Sequence, residues 1–393
     1  MKQIVISAVL IISSLSIYGQ DSIMWKFTSN LGIHSSPVTD MNNVYFGSND
    51  SILYALDKSK GNLLWKYKTR GEIKSQPVLF KETIIINSTD GYIYSFNKID
   101  GKVLWTFKTK GEKTYDLWDY YISSPKIYQN NVYVGSGDGN VYAINAETGK
   151  LIWNFKTGGI VHSTPVIKEQ KVFVGSYDGY FYALDTKSGS LIWKFKTVGD
   201  KYFPKGEIQR GAVIYKNSLI FGSRDFNIYA LDINTGRGLW NMKETGSWII
   251  ATPFVYGDNI YFGTSDTHRF YSMDAATGSI KWSLPLNMRV YCTASSFNDK
   301  IFFGCFNGKL FGVNSKTGEI EQTFQTSGSN KNYYNIFKEN DDFRDDFQLY
   351  GSTTTESEKK ILKLGAILTS PLIDNGIIYF GDSNGIFYAL QLK

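Results

Sequence analysis

One sequence unit is repeated along the whole chain, and tryptophan is its most regular member. Successive tryptophans of the unit lie 40, 40, 48, 40, 47 and 42 residues apart, and each one after the first follows a glycine by four residues. A period near 40 predicts a repeat fold in which every copy is one supersecondary unit. The repeat tryptophans are Trp25, Trp65, Trp105, Trp153, Trp193, Trp240 and Trp282.

A second signal precedes the tryptophan segments: Ser-x-Pro or a variant of it, followed by an aromatic-rich run that ends in a glycine or its substitute. The residue two positions before the proline slot and the residue after the glycine position are 13 apart in all eight copies. Eight equal spacings predict eight equal hairpins. The pairs are 35 and 48, 75 and 88, 123 and 136, 163 and 176, 210 and 223, 251 and 264, 292 and 305, and 369 and 382.

Each unit is interpreted as four short strands. Alternating runs such as Val-Tyr-Phe-Gly are typical of strands, and Asp-Gly or Asn-Gly pairs favour tight hairpin turns between the second and third strands. Four strands at a period of about 40 residues are the pattern of a β-propeller blade. The predicted fold class is therefore all-β, an eight-bladed β-propeller of four-stranded antiparallel blades.

The two ends of the chain predict how the ring closes. The eighth unit stops after its third strand, whereas the segment around Trp25 is a fourth strand without a unit of its own. We therefore expect residues 23–28 to pair with 386–392 and to complete the last blade. Such pairing removes two free sheet edges, which otherwise invite aggregation.

The first 19 residues have the pattern of a signal peptide cleaved near Gly19. Lys2 is followed by an apolar stretch at 4–17, too short to cross a bilayer comfortably. The alternative is a buried N-terminal strand. No cysteine lies near the cleavage site, so we expect a periplasmic or secreted protein that is not a lipoprotein. The propeller then forms one domain at 20–393, with an inserted loop at 327–366 between blades 7 and 8.

Residues 183–193 follow the pattern Ala-x-Asp-x-x-Ser-Gly-x-x-x-Trp, and the other copies vary it slightly. This pattern resembles the repeat of pyrroloquinoline-quinone (PQQ) β-propellers, and the resemblance covers essentially all of 21–393. It implies that the seven repeat tryptophans and their glycines dock neighbouring blades. Each indole can bury about 150–250 Å² in such a contact.

Two branches of this family imply different functions. Quinoprotein dehydrogenases bind PQQ and calcium in the central funnel and oxidise alcohols or sugars, but they are longer and carry an adjacent cysteine pair that this chain lacks. The BamB-like branch is a non-catalytic envelope scaffold of similar length, with a protein partner in outer-membrane assembly and no quinone. Because no catalytic set is recognisable, we expect a monomeric, cofactor-free scaffold, with a small PQQ- and calcium-dependent dehydrogenase as the alternative. The net charge of +6 comes without a basic run, which argues against nucleic-acid binding.

Three insertions lengthen the connections between one blade and the next, at 110–121, 198–209 and 327–366. All join a fourth strand to a first strand, so they share one face of a propeller, where function tends to lie. Their aromatic side chains predict a partner-binding surface, and the alternative is that they pack the loops down. The acidic run at 339–346 is predicted to be a solvated loop rather than a calcium loop. The aromatic residues are Tyr115, Trp118, Tyr120, Tyr121, Tyr202, Phe203, Tyr333, Tyr334 and Phe337.

The residues just before the Ser-x-Pro slots should surround the mouth of the central channel. They predict a rim that holds an anionic small ligand or a metal, and the alternative is that they line a wet channel. The two histidines at this position belong to the first and fourth blades, too far apart to share one zinc ion. With their neighbours, the predicted rim residues are His34, Lys74, His162, Gln209, Arg210, Trp248, Arg289 and Tyr291.

The two cysteines, Cys292 and Cys305, occupy paired positions of the seventh hairpin. With Asn298 and Asp299 as a two-residue turn, residue 292 should face residue 305 in a non-hydrogen-bonded pair, where side chains lie closest. An exported compartment permits oxidation. We therefore predict a cross-strand disulfide, and the alternative is two buried thiols.

Overall fold

The structure is a computed structural model and describes residues 16–17 and 22–393. Eight sheets follow one another around a ring, and each contains four antiparallel strands of the repeat. In seven of them the four strands are consecutive in the chain, whereas the eighth takes its fourth strand from the N-terminal part of the chain. The predicted eight-bladed propeller is thereby confirmed. The predicted signal peptide lies outside the described residues except for Ser16–Ile17, a short strand that pairs in parallel with the outer strand Ile320–Gln325.

The blades are numbered 1 to 8 in chain order, and the first strand of each is the innermost. The first strands are Val38–Thr39, Val78–Phe80, Lys126–Tyr128, Val166–Lys168, Val213–Tyr215, Phe254–Tyr256, Ser295–Phe297 and Leu372–Asp374. The second strands are Asn43–Gly47, Thr83–Asn87, Asn131–Gly135, Lys171–Gly175, Ser218–Gly222, Asn259–Gly263, Lys300–Gly304 and Ile377–Gly381. The third strands are Ile52–Asp57, Tyr92–Asn97, Asn140–Asn145, Tyr180–Asp185, Asn227–Asp232, Arg269–Asp274, Lys309–Asn314 and Ile386–Gln391. The fourth strands are Leu63–Lys68, Val103–Lys108, Leu151–Lys156, Leu191–Lys196, Gly238–Lys243, Ile280–Pro285, Ile320–Gln325 and, for blade 8, Ile23–Thr28.

The burial of the strands follows their place in the blade. The second strand Asn43–Gly47 is buried from its second residue onward, because neighbouring blades cover both faces of the sheet. The fourth strand Leu63–Lys68 alternates between exposed and half-buried residues, as expected of an outer edge in contact with water. The apolar core is thus divided into layers between successive blades.

The repeat tryptophans dock each blade on the next one. The indole nitrogen of Trp25 donates to the carbonyl of Lys58 at 3.0 Å, and a Cβ added at Gly61 would lie 2.4 Å from the indole ring. Gly61 also has φ +72°, a conformation that favours glycine. The same contact recurs for Trp65 on Gly101 and for the other five tryptophans. A chain of Trp–Gly contacts therefore couples the blades around the ring.

Strand Ile23–Thr28 pairs with Ile386–Gln391 and completes blade 8, as predicted. In this register Trp25 lies opposite Ala389, and its ring stacks on Phe387 with 5.9 Å between centroids. The first described strand of the main body therefore closes the ring by joining the last strand of the chain.

The long insertions add the few helical segments of the fold. The third insertion contains a helix at Ser327–Asn332, a 3-10 turn at Tyr333–Asn335 and a second helix at Thr354–Leu362. Within the described part of the chain, no helix is both long and apolar enough to span a membrane.

The predicted disulfide is wrong, because both cysteines are free and buried. The turn pairing is as expected, with Phe297 opposite Lys300, but the first strand begins only at Ser295 and does not include Cys292. The sulfur of Cys292 instead accepts from the amide of Gly304 at 3.2 Å. The thiol of Cys305 donates to the carbonyl of Met288 at 3.4 Å.

Candidate functional site

The three insertions fold over one end of the central channel and contact one another there. The Tyr115 hydroxyl of the first insertion donates to Glu207 of the second at 2.9 Å. The Tyr120 hydroxyl of the first donates to Glu358 of the third, and Glu358 also pairs with Arg289 at 2.9 Å. The insertions therefore form one interlocked cap, which we call the loop face.

A buried histidine anchors the first insertion to blade 4. Nδ1 of His162 lies 3.0 Å from Asp119 and Nε2 lies 3.2 Å from Glu112, and all three side chains are almost fully buried. Burial alone would lower the pKa of His162, but the hydrogen bonds and negative charges of the two carboxylates outweigh it and raise the pKa to about 9. Tyr177 donates a further hydrogen bond to Asp119 at 2.9 Å. His162 is thus a charged structural anchor.

A second buried cation bonds the middle of the same insertion and joins it to the second insertion. The Arg224 guanidinium bonds Asp116 at 2.5 Å and the side-chain oxygen of Gln209 at 2.9 Å. Its other side faces the Trp248 ring, with 4.4 Å to the centroid. Planar stacking combined with forked hydrogen bonds is a geometry that arginine supports and lysine does not.

An aromatic pocket of about 300 Å³ opens on the loop face beside this arginine. Trp248 forms its floor, and the Phe203 and Trp118 rings meet Trp248 nearly at right angles, with centroids 4.9 and 5.7 Å away. At the rim, the Tyr350 hydroxyl donates to Asp266. Edge-to-face rings of this kind give a rigid apolar wall with a polar rim.

The predicted partner-binding aromatics fall into three groups. Tyr115, Tyr202 and Tyr334 are exposed, at 40%, 67% and 64% of their surface. Trp118 and Phe203 are half-buried and line the aromatic pocket. The remaining side chains are buried and pack the loops down, as the alternative interpretation had it; they are Tyr120, Tyr121, Tyr333 and Phe337.

A separate cavity of about 390 Å³ lies in the central channel. It is lined by one polar or small residue from each blade and by the cationic side chains Lys74, Lys126 and Arg210, and no Asp or Glu is among the described residues that line it. His34 also lines it, and burial together with the charge of Lys74 lowers its pKa to about 3. The ring of one residue per blade is Ser36, Gln76, Ser124, Thr164, Gly211, Thr252, Thr293 and Ser370.

The structure does not bring the predicted rim residues together in one site. His34, Lys74 and Arg210 line the channel, whereas Trp248 and Tyr291 line the aromatic pocket. The other three lie in the buried polar contacts beneath the loops; they are His162, Gln209 and Arg289.

Several residues of these sites were not predicted. Lys126 carries a visible signal, because blades 1, 2, 4 and 5 have valine at the same repeat position. The carboxylates that meet the buried cations carry none, because they lie in insertions without a repeat; they are Glu112, Asp116, Asp119 and Glu358.

A calcium ion does not fit the channel. Calcium takes six to eight oxygen ligands, carboxylates among them, and the described residues that line the channel provide three cations and no carboxylate. Elsewhere in the described ranges, no three His, Cys, Asp or Glu side chains are grouped closely enough to hold a metal ion.

Comparison with known proteins places the chain in a family. A family model described as outer membrane protein assembly factor BamB matches residues 13–118, 122–245 and 204–393. The chain belongs to this family. No curated protein matches its sequence significantly.

Solved structures share the fold at low sequence identity. BamB from Moraxella catarrhalis is 14% identical, with 93% of this chain and 98% of that chain covered and a TM-score of 0.70. The computationally designed protein Ika8 is 15% identical, with 94% and 100% covered and a TM-score of 0.71. A quinohemoprotein alcohol dehydrogenase from Pseudomonas putida HK5 is 13% identical, with 94% and 72% covered and a TM-score of 0.66. At these identities the likeness shows the fold alone.

Proposed function

We propose that this chain is a non-catalytic scaffold of the cell envelope that binds a protein partner through its loop face, in the assembly of outer-membrane proteins. The observation that carries the proposal is the aromatic pocket beside the exposed Tyr202, held in place by an interlocked cap. Aromatic anchors around a preformed pocket are typical of the energetic centre of a protein interface. Membership in the BamB family supports the choice of partner class.

The cap supports this function because it is rigid where a partner would bind. Trp118 and Phe203 belong to different insertions, and both rest on Trp248. The ion pair between the buried Arg224 and the half-buried Asp116 fixes the first insertion beside them. A surface that is organised before binding loses less conformational entropy on association, which raises affinity without new contacts.

Site-specific photo-crosslinking in cells tests the proposal. A photoreactive phenylalanine analogue replaces Tyr202 or Tyr334 on the loop face. As matched controls it replaces Met41 or Ile99, which are 86% and 72% exposed on turns at the opposite end of the strands. We expect crosslinks to one component of the outer-membrane assembly machinery from the loop face only. Equal crosslinking from both faces, or none from the loop face, would contradict the proposal.

The dehydrogenase alternative is tested separately. Purified protein is titrated with PQQ and calcium while tryptophan fluorescence and dye-linked alcohol or sugar oxidation are followed. Since the lining of the channel does not suit calcium, we expect no turnover. Saturable binding accompanied by turnover would replace the scaffold proposal with a quinoprotein oxidoreductase.

A further inference from the structure

Two positions of the repeat carry a cation where the other blades do not, and both face the central channel. Lys126 begins the first strand of blade 3, where blades 1, 2, 4 and 5 have valine. Arg210 takes the slot that holds a serine in blades 1 to 4. The remaining copies of the repeat show that the fold itself needs no charge at either position.

Neither cation has a counter-ion among the described residues. No carboxylate lies within 4.0 Å of Lys126 or Arg210, although the buried Arg224 and Arg289 each have one. Nε of Arg210 is buried without a hydrogen bond, and its guanidinium lies 3.7 Å from the centroid of the Tyr121 ring. Burial lowers the pKa of both Lys126 and Arg210. An unpaired charge in such a place is costly unless something outside the chain compensates it.

The channel also offers hydroxyl donors. Oγ of Ser124 accepts from the amide of Gln76 at 2.9 Å, and Oγ of Ser36 accepts from the amide of Ser370 at 2.8 Å. Thr164 and Ser370 accept in the same way from the preceding blade. Since each hydroxyl has one proton to donate, and these four donate none to a described residue, their protons remain available to a ligand in the channel.

We propose that the central channel binds a small oxyanion with at least two carboxylate or phosphate groups, held by Arg210 and Lys126 and by the ring of hydroxyls. Lys126 lies in blade 3 and Arg210 just before the first strand of blade 5, so the two cations line the cavity from different blades. Two separate cations favour a ligand with several anionic groups over a single phosphate. The cavity of about 390 Å³ sets the upper limit of its size.

Calorimetric titration of the whole protein with citrate at low ionic strength tests the proposal, with inorganic phosphate and the neutral triethyl ester of citrate as comparison probes. The variants Lys126→Val and Arg210→Ser restore the residues that the repeat uses elsewhere. Lys150→Ser is the matched control, because it removes an exposed charge from blade 3. We expect citrate to bind with a Kd of about 1 mM or tighter, and each channel variant to weaken it about tenfold.

We expect the double variant not to bind citrate, the control to bind like the wild type, phosphate to bind more weakly and the ester not at all. Wild-type protein that shows no citrate binding at about 10 mM would overturn the proposal. Binding that survives both channel substitutions would overturn it as well.

Thermal unfolding gives an independent measurement that does not require a binding signal. Without an anion, Lys126→Val should raise the unfolding midpoint by a few degrees, because a half-buried ammonium without a counter-ion is removed. Citrate should raise the midpoint of the wild type but not of the double variant. A Lys126→Val protein that melts below the wild type without citrate would show that Lys126 serves the fold, and would overturn the proposal.

Discussion

His34 and His162 occupy the same repeat position in blades 1 and 4, yet their surroundings give them opposite charge states. Both side chains are buried. Two carboxylates hold the pKa of His162 at about 9, whereas burial and the charge of Lys74 hold the pKa of His34 at about 3. Near neutral pH, therefore, blade 4 carries an imidazolium and blade 1 a neutral imidazole.

One insertion accounts for much of this difference. It crosses the mouth of the channel and presents consecutive residues to the two histidines. Asp119 bonds His162 at 3.0 Å, whereas the Tyr120 ring meets His34 edge-to-face with 5.6 Å between centroids. The repeat thus fixes where a side chain stands, and the insertion decides which protonation state is stable there.

The largest expected effect is the loss of stability when each histidine is replaced by leucine. His162→Leu should lower the free energy of unfolding by about 3–5 kcal/mol, because it leaves Glu112 and Asp119 buried without their cation. His34→Leu should cost clearly less, because it removes a neutral ring whose contact with Asn49 is long, at 3.4 Å. Chemical denaturation of both variants measures the difference. Equal losses would show that the carboxylates do not depend on His162.

The dependence of stability on pH should separate the same two residues. The pKa of His162 rises on folding from 6.5 to about 9, so its contribution is complete below pH 6.5 and is lost as pH rises through 9. The loss should be on the order of 3 kcal/mol. The pKa of His34 falls on folding to about 3, so its contribution is present above pH 6.5 and is lost as pH falls toward 3.

Denaturation curves at several pH values between 4 and 9 measure both limbs. We expect His162→Leu to flatten the alkaline limb and leave the acidic one, and His34→Leu to do the reverse. An alkaline limb that is the same in the wild type and in His162→Leu would assign the loss to groups other than His162.

The sequence predicts that the two histidines occupy equivalent positions of the fold, but it does not predict the contacts that set their protonation states. Blade number, hairpin spacing and the places of the insertions follow from the repeat, because equal spacing imposes equal local geometry. The contacts of the insertions do not, because they join residues without a common period: Asp119 and His162 are 43 positions apart, and Tyr120 and Glu358 are 238 apart.

The cysteines and Lys126 show what the spacing of the repeat does and does not predict. Spacing placed Cys292 opposite Cys305, but it could not show that the first strand begins only at Ser295 and that the two free thiols bond different backbone groups. In contrast, Lys126 could have been found from sequence, because it interrupts a column of valines on the channel side of the repeat. Departures from the repeat therefore add to the rim residues as a guide to the channel, since His34, Lys74 and Arg210 also line it.

The smallest expected effect concerns the residue that accompanies each histidine. The position after the hairpin serine is Asn49 in blade 1 and Tyr177 in blade 4. Tyr177→Phe should cost about 2 kcal/mol, because it removes a buried hydrogen bond to the ionised Asp119. Asn49→Ala should change stability by less than about 0.5 kcal/mol, because its side-chain oxygen is buried without a hydrogen bond. Denaturation measures both losses in the free energy of unfolding. Equal losses would show that the hydrogen bonds around each histidine do not depend on its protonation state. The two blades would then differ only in how their side chains pack.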